Sequence, residues 1–89
     1  MKEVTVEIVN PAGLHARPAS ELVKTAGRFR SDVRFEKDGL EVNGKSIMGV
    51  LMLAAECGSQ LTIRTDGEDE EAVLDALADL VRRGFEEMP

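Results

Sequence analysis

The sequence predicts an α+β fold in two layers, with three helices on one face of a four-stranded, mainly antiparallel sheet. Two observations carry this expectation. Four short segments alternate apolar and polar residues, the period of a half-buried strand, and three others have helical stripes or helix-start signals. Their order, β-α-β-β-α-β-α, is met most economically by an α+β two-layer sandwich within one domain spanning residues 1–89.

The first strand is read from "EVTVEIV" (3–9), which places Val4, Val6 and Ile8 on one face before "NPAG" breaks it. From Ala16 the apolar residues fall at Ala19, Leu22, Val23, Ala26 and Phe29, a helical stripe. Pro18 lies in the first turn, where an N–H would have no intrahelical acceptor, and Gly27 is a stop signal. "DVRFE" (32–36) and "LEVN" (40–43) alternate again across "KDG", whose Asp-Gly pair is a hairpin signal. Ser46 opens a second helix, "SIMGVLMLAA" (46–55), ended by Gly58. "QLTIRT" (60–65) is the fourth strand, with Leu61 and Ile63 inward. "DGEDEEAVLDALADLVRRGF" (66–85) is a final helix, with Val73, Ala76, Leu77, Leu80 and Val81 on its apolar face. Its first turn holds Glu68, Asp69, Glu70 and Glu71, and its end holds Arg82 and Arg83, a polarity that suits the helix dipole.

Composition narrows the function classes. A net charge of −6 argues against a nucleic-acid backbone as partner. Residues 66–89 carry nine acids and two bases, while residues 1–65 carry eight acids and nine bases, so the acidity belongs to the last segment. The longest apolar run, "IMGVLMLAA", has nine residues, against the roughly 20 that span a bilayer. The beginning "MKEVTVEIVN" lacks the pattern of a signal peptide. With the lone Cys57 these features predict a cytoplasmic protein without membrane insertion. Cys57 itself is expected as a small apolar core residue.

The chain's one histidine, His15, stands between the "NPAG" break and the first turn of the first helix. As N-cap it would face the amides of Ala16 and Arg17, which come too early to find intrahelical acceptors. A positive helix end opposes imidazolium and favours an anion, so a phosphoryl group on the ring would meet amide donors and the Arg17 guanidinium. From spacing alone a surface histidine with no task is the competing reading. No second histidine exists to make a metal site, and no cofactor is expected.

Arg17, Lys24 and Arg28 share a face of the first helix, interrupted by Glu21, which suggests acidic protein partners and a phosphate ligand, with an ordinary solvated face as the competing reading. Ser46 is a natural N-cap and, by the same geometry, a good phosphoacceptor. From Ile47 to Ala55 no side chain is polar. A helix with no hydrophilic face is either buried all round or partly a docking patch; Ile47, Met48 and Leu51 are expected to form the patch, with Val50 and Leu53 in the core.

"GLHARPAS" (13–20) and "NGKSIMGVLML" (43–53), in this order and spacing, resemble HPr, the histidine-containing phosphocarrier family of the phosphoenolpyruvate-dependent sugar phosphotransferase system. The likeness covers essentially the whole chain. It implies an open-faced β-sandwich with sheet order 1-4-2-3. It implies that His15 accepts a phosphoryl group on Nδ1 from phosphorylated enzyme I and passes it to sugar-specific IIA proteins, with Arg17 stabilising the phosphohistidine. The chain would be a monomeric carrier, not a stand-alone enzyme. Ser46 would match a serine phosphorylated by an ATP-dependent HPr kinase/phosphorylase, the modified protein then binding a catabolite-control transcription factor. Ile47 and Met48 would match the docking patch. A mainly regulatory module acting through Ser46 is the alternative; family members of that kind lack the active-site histidine, which this chain has. The family often carries a further base where Gly27 stands here, with Arg28 one step on.

Overall fold

The structure is a computed structural model, which describes residues 1–86. The elements run β1 (Lys2–Glu7), α1 (Ala16–Gly27), β2 (Asp32–Lys37), β3 (Leu40–Asn43), α2 (Ile47–Met52), β4 (Gln60–Asp66) and α3 (Glu70–Arg82), then a 3-10 turn over Gly84–Glu86. All strand pairs are antiparallel and the sheet order is β1-β4-β2-β3, as the family resemblance implies. Period-two patterning sets the register: Val6 lies across from Leu61 and Phe35 across from Ile63. These inward side chains meet Leu22, Ala26, Val73, Leu77 and Val81 from the helices. Each fully buried aliphatic or aromatic side chain contributes about 1.5–3 kcal/mol of transfer free energy.

The other sheet face carries charge. Arg64, at the middle of β4, donates to Glu3 and Glu41, each at 2.8 Å, and to Glu36, so one guanidinium ties β4 to the other three strands. Those carboxylates raise its affinity for the proton, Glu3 first.

Several elements are shorter than the sequence pattern suggests. The second helix ends at Met52, because Ala54 takes a left-handed φ of 49° and Leu53 and Ala55 turn into the core. The final helix begins at Glu70 instead of Asp66: Asp66 completes β4, and Gly67, at φ 149°, turns the chain. On α3, Ala78 is buried and Ala76 only partly so. Cys57 is exposed, not in the core. It sits on the turn into β4, where Gly58 N–H bonds Ile8 O at 2.7 Å and holds the turn at the sheet's rim.

Asp69 looks like a first-turn acid, yet it makes no cap hydrogen bond to α3. It reaches across to the start of β2, accepting from Ser31 Oγ and from the amides of Ser31 (2.9 Å) and Arg30 (3.0 Å). Its own amide donates to Ser31 Oγ at 3.1 Å. These donors favour the carboxylate, Ser31 Oγ foremost, and bring Asp69 down from the ordinary 3.8 to about 2. A depressed folded-state value gives stability that is complete above the unfolded value and is lost as pH falls through the folded one. Asp69→Asn is therefore expected to lower the urea midpoint at neutral pH, and the difference from the parent should shrink between about pH 4 and pH 2. Parallel unfolding curves with a constant gap through that window would remove Asp69 as the titrating group.

Candidate functional site

The segment before α1 is a built turn, not a slack loop. Gly13 N–H donates to Asn10 O at 3.0 Å, and the Asn10 side-chain amide donates to Gly13 O at 2.8 Å. Leu14, buried, sends its N–H to Ala55 O at 2.8 Å. Gly13 has φ 70°, and a Cβ there would lie 2.5 Å from the same Ala55 oxygen. The turn is thus sewn to the segment after α2 at a point that admits no side chain.

That stitching places the next residue. His15 is the N-cap of α1, extended at φ −84° and ψ −171°, with an exposed side chain. Its carbonyl accepts the first intrahelical bond, from Ala19 N–H at 3.0 Å, and its ring makes no cap hydrogen bond to the helix it starts. Pro18 is buried in the first turn. The geometry therefore gives the exposed imidazole a helix N-terminus beneath it, as the sequence predicts, and such an end attracts anions.

Arg17, two residues on and exposed, lies 3.8 Å from Glu21 through Nε. Arg17, Lys24 and Arg28 line one groove, of about 370 Å³, together with Glu21, so the stripe and its acidic interruption are both where the spacing puts them. The groove's other wall comes from Leu80 on α3 and from Arg83 and Phe85 just past it, which no spacing rule within α1 could supply.

Ser46 caps α2: its Oγ accepts from Gly49 N–H at 3.2 Å, and its carbonyl accepts from Val50 N–H at 3.0 Å. The neighbouring Lys45 ammonium is engaged with Phe29 O at 2.8 Å, tying the start of α2 to the end of α1. Of the predicted patch, Ile47 and Met48 are exposed (40% and 67%), and Leu51 is only half-exposed. Met52, 67% exposed and not among the residues picked from the sequence, joins Met48 one turn away on α2, while Leu51 packs partly against the core. Val50 and Leu53 are buried, as expected. Among the described residues, no three His, Cys, Asp or Glu side chains stand together as a metal site, and no helix is long and apolar enough to cross a membrane.

Comparison with known proteins finds relatives over nearly the whole chain. A family model described as the PTS HPr component phosphorylation site matches residues 2–83. The phosphocarrier protein HPr of Treponema pallidum is 48% identical over 83 residues, which span 93% of this chain and 94% of the relative. The HPr-like protein Crh of Bacillus subtilis is 48% identical over 82 residues, 92% of this chain and 96% of the relative. The crystal structure of HPr-C-His from Thermoanaerobacter tengcongensis superposes with a TM-score of 0.96 at 47% identity, covering 100% of both chains.

Proposed function

The chain belongs to the HPr family, the phosphocarrier proteins of the phosphotransferase system, and on that premise we propose that His15 is the residue that carries the phosphoryl group. The observation that carries this reading is the exposed His15 ring at the N-cap of α1, two residues before the exposed Arg17. In the forward step the Nδ1 lone pair attacks phosphorus in line. The bond from phosphorus to the donor's leaving atom breaks, its electron pair stays with the donor, and Nε2 keeps its proton. The protein's share is placement and charge: transferring phosphoryl groups need little covalent help, and donors aimed at their oxygens supply the stabilisation. First-turn amides and Arg17 meet the added negative charge after transfer. The return step is the same displacement with the acceptor as nucleophile.

Phosphorylated enzyme I is the donor and sugar-specific IIA proteins are the acceptors. Lys24 and Arg28 steer their acidic surfaces, while Ile47, Met48 and the half-exposed Leu51 give apolar contact. The carrier acts as a monomer in the cytoplasm. Ser46 is a second, regulatory phosphorylation site for an HPr kinase/phosphorylase; the modified form then binds a catabolite-control transcription factor. Its place at an N-cap supports this, since a phosphoryl group there meets amide donors.

Labelling separates the two sites. Phosphoenolpyruvate with enzyme I should add one acid-labile phosphoryl group per chain, whereas ATP with an HPr kinase should add an acid-stable one at Ser46. No acid-labile product in the first reaction would overturn the carrier reading for His15. No product in the second would remove the regulatory role.

A further inference from the structure

The cations lining the groove between α1 and the end of α3 are not equally committed. Lys24 and Arg28 have no ion-pair partner among the described residues, whereas Arg34, Arg64 and Lys37 on the sheet all have one. Arg83 lies just past α3 and is fixed from two sides. Its Nε donates to Asp79 Oδ2 at 2.8 Å, and one terminal nitrogen donates to Glu86. A guanidinium has five N–H donors. The two used by Asp79 and Glu86 leave three without a partner among the described residues, on a head group that is already ordered.

Leu80 and Phe85 also line the groove. Among the described residues, four lining cations meet two lining carboxylates, Glu21 and Glu86, with Asp79 paired to Arg83 behind them, which leaves a small positive excess on a chain whose net charge is −6. The groove begins at Arg17, two residues from His15, and eleven residues of helix to Arg28 extend it by about 16 Å.

We propose that the end of α3, through Arg83, is a second wall of the docking surface, and that the groove receives a carboxylate-bearing segment of the protein that exchanges phosphoryl groups with His15. This rests on the carrier reading and extends it to an element remote in sequence from both motifs. Continuity decides the kind of occupant. A partner whose reacting atom reaches His15 lies over the groove that starts at Arg17, and a segment of several carboxylates can engage cations spaced along that length together. A single small anion would meet the exposed cations one or two at a time and be screened by salt. Arg83 acts at lower entropic expense than Lys24 or Arg28, because Asp79 and Glu86 already hold its side chain.

The test uses steady-state phosphoryl transfer from phosphorylated enzyme I to the full chain, with Arg83→Glu, Arg83→Lys and Lys24→Glu. Arg83→Glu should raise KM roughly tenfold with kcat held within about twofold. Its KM gap from the parent should narrow at high ionic strength. Arg83→Lys, which keeps the charge, should fall between the parent and Arg83→Glu. Circular dichroism and a thermal midpoint for each variant separate docking from misfolding, since a purely structural role would move the midpoint and leave KM alone. If Lys24→Glu raises KM and a folded Arg83→Glu does not, α3 has no part in docking and the proposal fails, while the carrier reading stands. If parent His15 takes no acid-labile phosphate at all, the carrier reading fails first.

Discussion

His15→Ala is expected to accept no acid-labile phosphoryl group from phosphorylated enzyme I, at any donor concentration or time. The chain has one histidine, so no second imidazole can take over. The loss should come without collapse of the fold, because the ring is exposed and makes no cap hydrogen bond to α1. The backbone carbonyl that accepts from Ala19 remains in the variant. We expect a stability change below about 1 kcal/mol, the scale of exchanges at an exposed cap position whose side chain makes no cap hydrogen bond. Urea unfolding checks the stability, and labelling with phosphoenolpyruvate and enzyme I checks the loss. An acid-labile product retained by the variant would place the acceptor elsewhere.

Gly13→Ala is expected to destabilise the protein strongly and to slow phosphorylation as well. Two penalties coincide there. The residue sits at φ 70°, where L side chains are strained, and its Cβ would approach Ala55 O to 2.5 Å and Glu56 Cα to 3.0 Å. The obstructing atoms are backbone, and Ala55 O is already held by Leu14 N–H at 2.8 Å, so relief requires the turn to part from the segment after α2. Strain of this kind amounts to about 2–4 kcal/mol. Because that stitch places His15 at the helix start, the variant should lose transfer rate beyond what its unfolded fraction explains. Gly27→Ala is the contrast: nothing lies within 4 Å of a Cβ there, and the variant should match or exceed the parent. Equilibrium unfolding of both variants, with single-turnover transfer rates, decides the matter. A Gly13→Ala protein as stable and as fast as the parent would show that the turn does not position the histidine.

Much of the fold can be read from local pattern. β1, β2 and β4 carry their inward faces in a period of two, and α1 announces its start through a break, a proline in the first turn and an apolar stripe. His15 and Ser46 were legible because helix-start chemistry is local: a residue's place just before a helix follows from its neighbours. What local pattern misses is long-range. Asp69 belongs by sequence to a helix's acidic first turn, but Ser31, 38 residues away, draws its carboxylate to β2. The apolar run after Ser46 has no period to mark an end, so the halt at Met52 depends on Leu53 and Ala55 finding the core. On that shorter helix Met52 is exposed and Leu51 only half so. Cys57 is apolar enough for a core position but is held at the rim by bonds to the first strand's end. Arg83 reads as a dipole-compensating base, and only the packing of α3 beside α1 brings it to the basic groove.

The central claim is that a helix start converts an exposed imidazole into a resting place for phosphate. The most direct measurement is nitrogen-15 and phosphorus-31 NMR of the chain before and after phosphorylation by enzyme I. The account predicts phosphorus bonded to Nδ1 of His15, together with downfield movement of the Ala16 and Arg17 amide protons as they take up the new oxygens. Phosphorus on another atom, or a phosphohistidine that leaves both amide signals where they were, would contradict it.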